Sequence, residues 1–282
     1  MSIVDTRTRV NGVELFHELT GEGEPLVLVH GGWTDLDSWQ FVVPSLAGSF
    51  SVLAYDRRGH SRSERPAAQG SRRTDEDDLA ALIEALDLGP AHLAGNSYGA
   101  SIALSLACRR PDLVRSVAAH EPPLISLISD EPALAASVAE VDRTMATIVD
   151  ELRAGEIDAG TARFMEEVAL GPGSWALLPE TEQRRFMFNA PMFVDIVDDP
   201  GWDQADVPGL SSLAVPALVT HGDQSVPWLA AIVAELARII PGAEHRTFAG
   251  AGHAPHLTHA DDYAEAIGGF GATAAASPRR GA

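Results

Sequence analysis

Residues 91–110 read AHLAGNSYGASIALSLACRR, and the fold turns on this stretch. Ala91 to Asn96 is a short apolar run of strand character. Ser97 to Arg109 is rich in Ala and Leu and reads as a helix, stopped near Pro111. Between them, Gly95-Asn96-Ser97-Tyr98-Gly99 is a G-x-S-x-G sequence. Alone such a match carries little information. At a strand-to-helix turn it carries much more: the two glycines allow a sharp turn and close packing, and the serine is set at the positive end of a helix.

The same rhythm extends in both directions. Asn11-Gly12 joins two antiparallel strands within residues 5–19. Pro25 to His30 and Phe50 to Tyr55 read as buried strands, residues 36–47 as helix, and residues 75–88 as an amphipathic helix with a solvated acidic start. Val114 to Ala119 is a further strand. After Val207 strands return at 216–220 and 244–248, with helices at 228–240 and 260–270. Strands alternating with helices predict an α/β fold whose mostly parallel sheet is covered on both faces. Residues 1–123 and 208–270 form this core. Residues 124–207 are helical and acidic, with aromatics at Phe164, Trp175, Phe186, Phe188, Phe193 and Trp202. They are expected as a helical cap inserted after the strand that follows the Ser97 helix. The Ala/Gly/Ser-rich tail, 271–282, is expected to be disordered.

A nucleophilic serine needs a base and an oxyanion hole. The backbone N–H of Tyr98 is one expected donor. Gly32, in His30-Gly31-Gly32-Trp33 after an early strand, is the second. His253, in Gly250-Ala251-Gly252-His253 after the last strand, is the expected base. His256 and His259 follow it at intervals of three, but no fourth ligand stands beside them, so no metal is expected. Trp33, Trp175 and Trp228 are candidates for lining the substrate cavity. Cys108 reads as helix core, and the turn 56–63 (DRRGHSRS) as structural.

These motifs together resemble the α/β-hydrolase fold family over about residues 10–270: HGGW at 30–33, DRRGHSRS at 56–63, GNSYG at 95–99, HGDQSVP at 221–227 and GAGH at 250–253. The resemblance implies a serine hydrolase with a helical cap and no cofactor. It also poses a question about the acid. The family's common G-x-x-D pattern reads Gly222-Asp223-Gln224-Ser225 here, so a serine stands where the aspartate is expected. Asp223, two residues early, is one alternative. The preferred acid is Glu121, in Ala119-His120-Glu121-Pro122-Pro123, a placement that resembles the zearalenone lactonases. The resemblance thus implies hydrolysis of an ester or lactone of a neutral apolar substrate, with a macrolactone such as zearalenone as the sharpest guess. The same residues leave open carbon–carbon bond hydrolysis, cofactor-free perhydrolysis and a non-catalytic small-molecule receptor.

Composition bounds the partners. Forty acidic residues against 20 basic ones, all Arg, give a net charge of −20. Such a surface repels phosphate backbones, which argues against nucleic acid. There is no apolar run long enough to span a membrane and no leader-like start, and the single cysteine fits a reducing cytoplasm. The expected partner is a small-molecule substrate; a homodimer is compatible with the sequence and not required by it.

Overall fold

The computed structural model describes residues 6–66 and 70–276. An eight-stranded sheet runs in the order β1-β2-β4-β3-β5-β6-β7-β8. Its strands are β1 (Thr6–Val10), β2 (Val13–Thr20), β3 (Glu24–Val29), β4 (Phe50–Tyr55), β5 (Ala91–Asn96), β6 (Val114–His120), β7 (Ala217–Gly222) and β8 (Glu244–Phe248). The first two are an antiparallel hairpin at one edge, and all pairings from β4 onward are parallel. This is the α/β-hydrolase fold.

Alternation along the central strands divides the core in two. Val27, Val29, Leu93, Val117, Ala119 and Val219 point to one face. There they meet α2 (Arg72–Ala85), α3 (Tyr98–Arg109) and α9 (Pro227–Ile239). Leu26, Leu28, Ala94, Ala118 and Leu218 point to the other. There they meet the single turn α1 (Val43–Leu46) and the long α11 (Ala260–Ala276). Between β6 and β7 the chain forms α4 (Ala135–Arg153), α5 (Ile157–Phe164), α6 (Ser174–Leu177), α7 (Glu180–Asp198) and α8 (Val207–Ser211). A short turn, α10 (Pro255–Thr258), precedes α11.

Three expectations need correction. Residues 36–47 form a 3-10 turn at Leu36–Trp39 and the one-turn α1, not a continuous helix. The acidic start of α2 is not solvated: Asp75, Glu76 and Asp78 are buried, because Arg57 and Arg58 reach across to pair with Asp75 and Asp78, and Arg72 and Arg109 with Glu76. The tail begins later than expected. α11 continues through Ala276 because small residues let it approach the sheet, Gly271 lying against Phe50 and His92. The rest of the expected tail, 277–282, lies outside the described residues.

Candidate active site

The turn at Ser97 is held by close backbone approaches. A Cβ on Gly99 would sit 2.2 Å from the Val29 carbonyl oxygen, and one on Gly95 2.5 Å from that of Gly99. Only glycine fits at either position, and the tightness forces Ser97 to φ 55°, ψ −126°. That strained conformation lifts the side chain off the end of β5 at the first turn of α3. The Ser97 N–H is tied to the His120 carbonyl at 2.8 Å, so the tip of β6 helps to fix it.

The loop after β3 is secured from behind. Its Gly31 carbonyl accepts from Arg57 at 3.1 Å and its Gly32 carbonyl lies 3.1 Å from His60 Nε2, while His30 Nε2 accepts the Arg57 N–H at 2.9 Å. Arg57 and His60 thus make the turn 56–63 a clamp on this loop. Gly32 borders the cavity beside Ser97, and its N–H is one of the expected oxyanion donors. Neither that N–H nor the Tyr98 N–H has an acceptor among the described residues.

His253 lies in the loop after β8. Its carbonyl accepts from Asn96 at 2.9 Å, and its Nδ1 is 2.6 Å from Oε2 of Glu121. The other carboxylate oxygen of Glu121 accepts the Gly222 N–H at 2.8 Å. Glu121 is fully buried and adopts φ 47°, a left-handed conformation rare outside glycine. Burial alone would raise its pKa, but His120 and His253 outweigh it and hold the group below the usual carboxylate range. The Ser225 hydroxyl, standing where the family's common acid would be, lies beside this carboxylate. Burial lowers the pKa of His120 to about 4, so its ring is neutral at pH 7; its Nδ1 is 2.9 Å from Thr220 Oγ1.

Asp223 makes a different contact. It is exposed at the loop surface, and its Oδ1 accepts the Gly250 N–H at 2.8 Å. Its contact braces the loop that carries His253. His256 lies within α10 and His259 just after it, and no cluster of three or more metal-ligating side chains occurs among the described residues.

Ser97 and His253 line two small compartments, of about 30 and 40 Å³. The first is walled by apolar side chains that include Phe164, Phe193, Trp202 and Trp228. His253 also faces a groove of about 930 Å³ between α4, residues 166–172 and the loops after β7 and β8. Trp33 and Trp228 line the cavity. Trp175 does not: it packs on cap core, and its carbonyl accepts from Gln183 at 2.9 Å. Trp202, a wall of the first compartment, carried no signal in the sequence beyond its aromatic character. It arrives from the end of the cap through contacts distant in sequence.

A family model described as alpha/beta hydrolase fold matches residues 24–260. The chain is 38% identical to an uncharacterized hydrolase of Bacillus subtilis over 130 residues, 45% of this chain and 48% of that protein. It is 31% identical to a 2-hydroxymuconate semialdehyde hydrolase of a Pseudomonas species over 92% of this chain and 90% of that one. Among solved structures it is similar to Est816, described as an N-acyl homoserine lactone degrading enzyme. That likeness has 26% identity and a TM-score of 0.71, and it covers 94% of this chain and all of that one. With its sheet order, serine turn and matched length, the chain belongs to the α/β-hydrolase family.

Proposed function

We propose that this enzyme is a serine hydrolase that cleaves a neutral ester or lactone through an acyl-enzyme, with Ser97, His253 and Glu121 as its triad. The observation that carries the reading is the 2.6 Å contact between His253 Nδ1 and a buried, anionic Glu121, beside a serine held at a strained turn. Glu121 fixes the imidazole so that Nε2 takes the Ser97 proton as the hydroxyl attacks the carbonyl carbon. The Gly32 and Tyr98 N–H groups receive the oxyanion that forms. His253 then gives its proton to the leaving alkoxide. Water attacks the acyl-enzyme with His253 again as base, and Ser97 recovers its proton.

Charge narrows the substrate. No Arg lines the groove or either compartment among the described residues, and Glu140, Glu166 and Glu167 stand at the groove. A carboxylate substrate would enter without a counter-ion, so a neutral one is favoured. The groove lies within the roughly 300–1,000 Å³ that accommodates drug-sized ligands. That leaves room for a macrolactone such as zearalenone as well as for an acylated small lactone. Carbon–carbon bond hydrolysis is the second reading, favoured by the 31% identity to a muconate semialdehyde hydrolase. It is disfavoured by the missing cation, since a muconate carries a carboxylate.

The test is mass-spectrometric turnover of simple esters, small lactones, macrolactones including zearalenone, and a dienoate semialdehyde, with Ser97→Ala as control. Intact-mass labelling by a fluorophosphonate accompanies it. Water addition to an ester or lactone, lost in Ser97→Ala, supports the proposal. Cleavage of the semialdehyde alone moves the second reading ahead. Absence of both turnover and labelling rejects the hydrolase assignment.

A further inference from the structure

One guanidinium contacts both segments that carry the expected oxyanion donors. Arg57 is buried in the turn 56–63, and its Nη2 donates to the Gly31 carbonyl at 3.1 Å. The same carbonyl lies 2.8 Å from His30 Nδ1. His30 Nε2 accepts the Arg57 N–H and burial keeps the ring neutral, so its proton is on Nδ1 and points at that carbonyl. The Gly31 C=O and the Gly32 N–H belong to one planar trans peptide group and point in opposite directions. Two donors on the carbonyl therefore also fix the direction of the Gly32 N–H. The ring of Tyr98, whose N–H is the other expected donor, has its centre 5.0 Å from the Arg57 guanidinium carbon.

The guanidinium is itself held. Its Nη1 pairs at 3.1 Å with Oδ2 of Asp75, in the first turn of α2, and both side chains are buried. Nη2 is also 3.2 Å from His60 Nε2; His60 Nδ1 faces the Arg58 carbonyl at 2.9 Å, which leaves Nε2 to accept. Burial raises the pKa of Asp75 to about 6 against the pull of Arg57, so the carboxylate is ionised at pH 8. A buried ion pair adds little stability over apolar side chains of similar volume. What apolar side chains would not supply is direction: Asp75 sets one side of a planar fork, and the other side meets the Gly31 carbonyl.

We propose that Asp75 and Arg57 are positioning residues for the oxyanion hole: their ion pair fixes the Gly31–Gly32 peptide so that the Gly32 N–H meets the oxyanion without rearrangement. Neither residue lines the groove or the compartments at Ser97. A donor already in place stabilises the developing charge more than one that has to turn towards it. Hydrogen bonds to the carbonyl also polarise the N–H of the same peptide group. The inference rests on the serine hydrolase reading above, since it is addition to a carbonyl that creates the oxyanion.

The test replaces the pair by apolar side chains, Arg57→Met with Asp75→Leu, which should leave the urea midpoint near that of wild type or above it. At pH 8, kcat/KM for 4-nitrophenyl butanoate should fall by about tenfold or more, a part of the roughly 10²–10³ that loss of a whole oxyanion donor costs. Arg57→Met alone should lose as much as the double variant, because Asp75 acts through Arg57. Two ketones separate positioning from packing. Ser97 Oγ adds to the carbonyl carbon of 1,1,1-trifluorohexan-2-one, its proton passes to His253, and the carbonyl oxygen becomes an alkoxide in the hole. Hexan-2-one binds without that addition. The inhibition constant of the trifluoroketone should rise in step with the loss of kcat/KM, and that of hexan-2-one should hold. A folded double variant that loses less than about tenfold overturns the proposal, as does equal weakening of the two ketones. A further loss on adding Asp75→Leu to Arg57→Met overturns the role given to Asp75. If the double variant does not fold, Asp75→Asn is judged by the same two ketones. If wild type cleaves no ester and binds the two ketones alike, the hydrolase reading itself has failed, and the proposal falls with it.

Discussion

Glu121→Gln isolates the acid with little change of shape. In the native site Oε1 accepts the Gly222 N–H at 2.8 Å and Oε2 faces His253 Nδ1 at 2.6 Å. A glutamine in the same rotamer keeps its oxygen on Gly222 and turns its NH2 towards His253. Nδ1 must then accept, which puts the ring proton on Nε2, the atom that has to take the serine proton. The variant thus stabilises the wrong tautomer and also loses the anion that balances the imidazolium. With the imidazolium charge spread to an effective separation of about 4 Å and a local dielectric near 20, that attraction is about 4 kcal/mol. This alone is about 10³ in rate, and the tautomer error brings the expected loss to about 10⁴, the scale seen when a triad aspartate becomes asparagine. The assay is initial-rate hydrolysis of 4-nitrophenyl butanoate, with a urea melt to show that the variant folds. Asp223→Asn should stay within about threefold of wild type, because Asp223 touches the Gly250 N–H and not the imidazole. Adding Ser225→Asp to Glu121→Gln should recover at least about tenfold, since residue 225 already borders the carboxylate. A tenfold or smaller loss in Glu121→Gln, or an equal loss in Asp223→Asn, refutes the assignment.

Three other outcomes follow from packing and titration. Gly99→Ala sets a methyl 2.2 Å from the Val29 carbonyl oxygen, so β3 and α3 must separate; urea unfolding should show a loss of at least about 3 kcal/mol. Asn189→Ala removes bonds to the Ser61 N–H at 2.9 Å and the Thr34 carbonyl at 3.3 Å, which fasten α7 to the core; about 2 kcal/mol should be lost in the same measurement, with a raised KM. Acid should destabilise the enzyme through its buried histidines. His60 and His120 are lowered from 6.5 to about 3 and about 4, mainly by burial, and His30 and His256 well below 6.5. Between those values the unfolded chain binds the protons, so the stability is whole above pH 6.5 and drains as pH falls towards 4, by about 3 kcal/mol for His120 alone. Asp35 and Asp75, both raised to about 6 by burial, act with the opposite sign between about pH 6 and 4, but they are fewer and less shifted. A urea midpoint that holds steady or rises from pH 7 to 4.5 contradicts this balance.

What could be read in the sequence was local or repeated. Pro25 to His30, Phe50 to Tyr55 and Val114 to Ala119 are short apolar runs separated by helices, and that rhythm is enough to read a mostly parallel sheet covered on both faces, though not the order of its strands. The turn at Ser97 announces itself because both of its glycines sit where no side chain fits. What escaped depended on partners far along the chain. Asp75 and Asp78 look like a solvated helix start until Arg57 and Arg58 arrive from another loop to pair with them. The glycines and alanines after Phe270 have the composition of a loose tail, yet the same small size lets Gly271 settle against Phe50. Trp175 and Trp202 are alike as cap aromatics, and only the path of the cap decides that the second one walls the site.

The position of the proposed acid shows why a motif read strand by strand can mislead. What the imidazole requires is a carboxylate oxygen at one point in space, not an aspartate on a given strand. Glu121 leaves the tip of β6, where its N–H still bonds to the Thr220 carbonyl at 3.1 Å, and reaches across the end of β7 to the Gly222 N–H. Four local features permit that crossing. The positive φ at Glu121 turns the side chain towards β7, and the extra methylene of glutamate spans the distance. The small serine at 225 leaves room for the carboxylate. Gly222 lets the end of β7 lie against the loop that carries His253, for a Cβ there would stand 2.2 Å from the Ala251 carbonyl oxygen. Ser225 and Glu121 therefore have to be considered as a pair. A bulky residue at 225 beside Glu121 would crowd the carboxylate, and a serine at 225 without Glu121 would leave His253 with no anion. Ser225→Leu should thus cost activity on the scale of Glu121→Gln although it removes no catalytic group. Retention of wild-type rates by Ser225→Leu would show that the space beside Glu121 is not what allows the acid to stand on β6.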